Sequence, residues 1–209
     1  MNESAWLIAA VPEPVVCCRV ELLPLCAGHL MLMRRFGSAF VTGEPPTMDD
    51  LFISVWICQR DYENGCKFRW DDDMVAYCKS WGAELALGRK RFLRRRESVT
   101  FDFVAAIDRF ADYLSSGGWG YGADKVLPVC IPKKGGEGLG NIGTVPELMH
   151  IVALMTDLGM NYITAINMPF AMGRHLLAAN AERGGIVSVI PLEEFAAMKA
   201  KLQPKESNG

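Results

Sequence analysis

The sequence predicts a mainly α fold, a small multi-helix domain with at most a short two-stranded β element. Three observations lead there. Apolar residues recur at spacings of three and four in several separate stretches, the period of one face of an α-helix. Those stretches open at helix-start residues such as Thr47 or the triplet Asp71, Asp72 and Asp73, and they close at glycines. Only two β-branched runs stand out, residues 15–22 (VVCCRVEL) and 185–190 (GIVSVI), and a single pairing between them accounts for both.

Taken in order, residues 1–14 read as an N-terminal tail and 15–116 as an N-terminal helical half. Leu25, Leu32, Met33 and Phe36 form one apolar stripe, stopped at Gly37. Met48, Leu51, Phe52, Val55 and Trp56 form the next, begun by Thr47, with Asp49 and Asp50 near the positive end of the helix dipole. The acidic triplet at 71–73 starts another helix; cation binding is the costlier reading of the same residues. The cleanest pattern is Phe103, Val104, Ile107, Phe110, Ala111 and Leu114, opposite Asp102, Asp108, Arg109 and Asp112.

Residues 117–143 are rich in Gly and Pro and predict a long loop or hinge, the most mobile internal segment. The C-terminal half, 144–202, opens with a capping box of Thr144 and Glu147, with Pro146 in the first turn. Leu148, Ile151, Val152 and Met155 give its first buried stripe. Another helix over 168–182 stops at Gly184 and Gly185, and Leu192, Phe195, Ala196 and Leu202 mark a last one before the polar tail 203–209.

Half the 209 residues are hydrophobic and 22% are charged, which excludes wholesale disorder. A formal net charge of -2 supplies no long-range field for nucleic acid. The longest apolar run, residues 22–33, is too short to span a membrane. Seven cysteines, an odd number without a CxxC spacing, read as reduced thiols of a cytoplasmic protein. His29, His150 and His175 stand at no ligand spacing from one another or from a cysteine, so neither a metal nor a cofactor is expected. No catalytic residue is assigned.

Three features remain as candidate sites. Gly138, Gly140 and Gly143 match GxGxxG, but prolines at 128 and 132 break the preceding strand and no alternation of strands and helices surrounds it, so a flexible loop is the better reading. Arg89, Lys90, Arg91, Arg94, Arg95 and Arg96 form a basic patch interrupted by Phe92 and Leu93. A solvated helix face accounts for it most simply, ahead of an acidic protein partner and of nucleic acid. Met31, Met33, Phe52, Trp56, Phe170 and Met172 supply more apolar bulk than two short helices hide against each other, which predicts a partner-binding surface.

Two stretches carry a family resemblance. LLPLCAGHL at 22–30, with its helix ending in Phe36-Gly37-Ser38, a loop holding Pro45 and Pro46, and a Thr-led helix bearing LFISVW at 51–56, resembles small helical proteins of phage tail and prophage modules. NMPFAMG at 167–173, heading a helix that ends in Glu182-Arg183-Gly184-Gly185, resembles an element of phage tail assembly chaperones. The resemblance implies a non-enzymatic protein of the host cytoplasm. Such a protein binds the apolar helices of the tape-measure protein, shields them until the tail tube polymerises, and oligomerises along them. Two other classes stay open: a phage tail or neck structural protein, and an enzyme whose site is assembled only in the fold.

Overall fold

The structure is a computed structural model that describes residues 3–66, 72–87, 101–132 and 145–202. The helices in chain order are α1 (Glu3–Ala10), α2 (Ala27–Phe36), α3 (Ala39–Thr42), α4 (Met48–Cys58), α5 (Tyr62–Cys66), α6 (Asp72–Leu87), α7 (Phe103–Ser116), α8 (Pro146–Leu158), α9 (Tyr162–Asn167), α10 (Phe170–Arg183) and α11 (Leu192–Leu202). Four short strands join them: β1 (Val15–Cys17), β2 (Val20–Leu22), β3 (Val129–Pro132) and β4 (Val187–Ile190). The architecture is therefore mainly α, with two antiparallel two-stranded sheets, β1 with β2 and β3 with β4. Among the described residues no helix is long and apolar enough to cross a membrane.

Helix α4 lies at the centre. Its start is fixed locally: the Thr47 hydroxyl accepts from Asp50 N–H at 3.2 Å, while an Asp50 carboxylate oxygen accepts from Thr47 N–H at 3.0 Å. Every residue from Leu51 to Cys58 is buried, so the helix is covered on all sides rather than along one stripe. Helix α2 ends where the sequence predicts, at Gly37, whose φ of 75° suits a residue without a Cβ. The core that surrounds α4 runs from Cys17 to Phe170 and draws on both predicted halves. They fold as one body.

Several expectations are corrected. Residues 15–22 do not pair with 185–190. Cys18 and Arg19 adopt left-handed φ values of 50° and 64°, so the segment turns back on itself and Val16 faces Glu21 across a two-residue hairpin. β4 pairs instead with β3, inside the stretch expected to be a loop. The supposed N-terminal tail carries α1, which docks against α10 with Ala9 buried beside Val126 and Ala171. On α7 the buried residues are Phe110, Tyr113 and Leu114, while Val104 and Ala111 are exposed.

Helix α8 is rotated from its expected orientation. Its buried residues are Glu147, His150, Ile151 and Leu154, whereas Leu148, Val152 and Met155 are exposed. The reason lies on α2: Arg34 Nη2 donates to Glu147 Oε1 at 2.7 Å, and Nε donates to the same oxygen at 3.2 Å, so a carboxylate can sit inside. Glu147 thus holds two helices together instead of capping its own. Thr144 and the glycine motif at 138–143 lie outside the described residues.

Candidate functional site

Four of the six residues expected to form a partner surface belong to the interior. Met33, Phe52, Trp56 and Phe170 are buried, and Met31 and Met172 are half-buried. The expectation treated α2 and α4 as a pair with only each other to pack against. In the fold α6, α7, α8 and α9 also cover them, and burial of large apolar side chains follows. The basic patch at 89–96 lies outside the described residues.

What the two resembling stretches do share is a contact. Phe170 N–H donates to Leu25 carbonyl at 2.7 Å, and Cys26 bridges Pro169, so the start of α10 is stitched to the start of α2. Asn167 ties the same region to α5, its side-chain oxygen accepting from Tyr62 N–H at 3.0 Å. Pro169 at the head of α10 has no N–H to leave unpaired, which suits a helix start buried against another chain segment.

The histidines occupy three separate interior positions. His29 Nδ1 lies 3.4 Å from Cys26 N and Nε2 donates to Arg60 carbonyl at 2.6 Å. His175 Nε2 lies 2.8 Å from Val126 carbonyl. His150 packs its ring 4.5 Å from that of Phe170, and neither ring nitrogen has a hydrogen-bond partner among the described residues. Burial, reinforced by the charge of Arg174, pushes its pKa down to about 4.

Cys17 and Cys18 bring their sulfurs to 3.9 Å. The hydrogen bond from Cys18 holds the Cys17 thiol below its ordinary value, and Cys18 is pushed up in consequence. Both sulfurs are buried, which denies them the access that a reactive thiol needs. Among the described residues no three His, Cys, Asp or Glu side chains converge as a metal-ligand group.

Among the described residues, a groove of about 990 Å³ opens between α1, the β1–β2 hairpin and α7. Each wall has a sequence cause. Pro12 and Pro14 hold the chain extended after α1, since proline fixes φ and removes the donor a helix would need. The hairpin alternates, turning Cys17 and Leu22 inward and leaving Val16 and Glu21 on the groove side. Three contacts lay α7 along residues 16–25: Arg109 Nη1 donates to Val16 carbonyl at 3.4 Å, and Tyr113 hydroxyl donates to Leu23 carbonyl at 2.8 Å. The third is steric, because a Cβ on Gly117 would stand 2.5 Å from Leu25 Cβ, so the end of α7 comes this close only as glycine.

The lining is mostly apolar and open. Leu7, Val11, Val16 and Leu23 are 54%, 75%, 47% and 41% exposed, values that core side chains do not show. Around them stand Glu13, Glu21, Asp112 and Arg109. Sequence reasoning missed this site because its walls come from a segment read as a tail and a helix face read as solvated. The available signal was the apolar run WLIAA followed by two prolines within four residues of its end.

No family model matches the sequence, no curated protein is significantly similar to it, and no solved structure matches the fold.

Proposed function

We propose that this protein is a binding protein of the tail-assembly-chaperone type, which holds an apolar helix of a tape-measure-like partner in the groove between α1, the hairpin and α7. The observation that carries the reading is the groove itself, whose exposed Leu7, Val11, Val16 and Leu23 form one apolar strip. A helix laid there gains about 1.5–3 kcal/mol for each large apolar side chain it buries fully. The resemblance of residues 22–30 and 167–173 to tail proteins supports the choice of partner. The binding residues of this reading are those of the groove, in place of the six that the sequence suggested.

Co-expression with an apolar, helix-rich tape-measure product tests this. The partner should stay soluble with the native chain and aggregate with a Val16→Thr/Leu23→Asn variant, checked for native folding by circular dichroism. A partner equally soluble without this protein, or one retained by a folded variant, would sink the reading.

A further inference from the structure

Charge on the groove says more about its occupant than its apolar strip does. Glu13, Glu21 and Asp112 are exposed and line the groove. None of the three is in an ion pair among the described residues, where the pairs formed are Arg34 with Glu147 and Lys79 with Asp49. The sole cation of the lining, Arg109, directs a guanidinium nitrogen to Val16 carbonyl. Three carboxylates therefore face one guanidinium around an apolar strip. Val16 and Glu21 sit opposite one another on the hairpin, so an apolar contact and a negative charge are offered side by side.

Resting on the reading of the groove as a helix-binding site, we infer that its partner segment is an apolar helix flanked by lysine or arginine. An acidic or uncharged helix would fill the same strip but leave the carboxylates unanswered and, if acidic, repelled. A second copy of this chain is the competing occupant. An exposed charge pair contributes a factor of roughly 1.4 to 5 in affinity, so three together set a preference of roughly threefold to a hundredfold at low salt.

The test uses the full chain and two synthetic helical peptides with one identical leucine-rich face, one flanked by lysines and the other by glutamates. Binding is read by fluorescence anisotropy at low and high salt. The lysine-flanked peptide should bind at least about threefold tighter at low salt. The gap should close at high salt, where screening shortens the reach of each charge. It should also close in a Glu13→Gln/Glu21→Gln/Asp112→Asn variant, checked for native folding by circular dichroism. Equal binding of the two peptides overturns the inference and leaves the groove reading standing. Binding of neither overturns both. Sedimentation of the chain alone covers the remaining occupant, since a dimer that the triple variant dissolves would assign the groove to a second copy and overturn the inference.

Discussion

Helices α4 and α8 are similar in length and both strongly apolar, yet the fold treats them in opposite ways. α4 buries every residue from Leu51 to Cys58. α8 leaves Leu148, Val152 and Met155 in solvent while enclosing a carboxylate and an imidazole. Hydrophobicity alone does not separate them. What separates them is how the neighbours are placed: α4 is enclosed by α2, α6, α7 and β2, whereas among the described residues α8 packs on α2, α9 and α10 with one face and leaves Leu148, Val152 and Met155 uncovered on the other. An apolar side chain is buried when something arrives to cover it, and an acidic one is tolerated inside when a base arrives with it.

The comparison breaks most sharply under truncation. Trp56→Ala on α4 should cost about 3–5 kcal/mol, while Val152→Ala on α8 should stay within about 0.5 kcal/mol. Equilibrium denaturation of the two variants gives both numbers, and equal losses would mean the coverage of α4 is misjudged. The next effect is smaller. Arg34→Ala strands Glu147, which is wholly buried, and should cost about 2–4 kcal/mol, discounted from a fully buried pair because Arg34 is partly exposed. Adding Glu147→Gln to that variant should recover part of the loss; a double variant as unstable as the single one would show that packing rather than charge is at stake.

A third effect follows from His150 and has a definite sign. Its folded pKa of about 4 lies below the ordinary histidine value of 6.5, so the unfolded chain takes up a proton in that window and the folded chain does not. The stability contributed by the neutral ring is present above pH 6.5 and drains away as pH falls toward 4. Between pH 6.5 and 5 the loss is at most about 2 kcal/mol. Denaturation midpoints across that range should fall more steeply for the native chain than for His150→Phe. Parallel profiles would mean that the ring is hydrated and titrates normally.

Much of the helical skeleton was legible in the sequence because its signals are local. The Thr47 and Asp50 cap, the stop at Gly37, the start of α10 at Pro169 and the end at Gly184 each depend on a few neighbouring residues, and a few neighbouring residues suffice to read them. The face of α8 was not legible. The expected stripe and the observed one share Ile151 and differ by a modest rotation, and the deciding interaction is with Arg34, 113 residues away. The groove escaped for the same cause: its floor joins residues 7–25 to residues 109–117, and neither stretch alone has the look of a site.

By itself, then, the sequence determined a mainly helical chain and the ends of its principal helices, since hydrogen-bond capping and helical periodicity act over three or four residues. Only the tertiary structure decided which apolar residues are core and which are surface. It turned 15–22 into a hairpin through two left-handed residues, drew β4 to β3, sank Met33, Phe52, Trp56 and Phe170 into the interior and left the strip from Leu7 to Leu23 in the open. Burial is a property of what lies opposite a side chain, and what lies opposite comes from distant parts of the chain whose meeting no local pattern encodes.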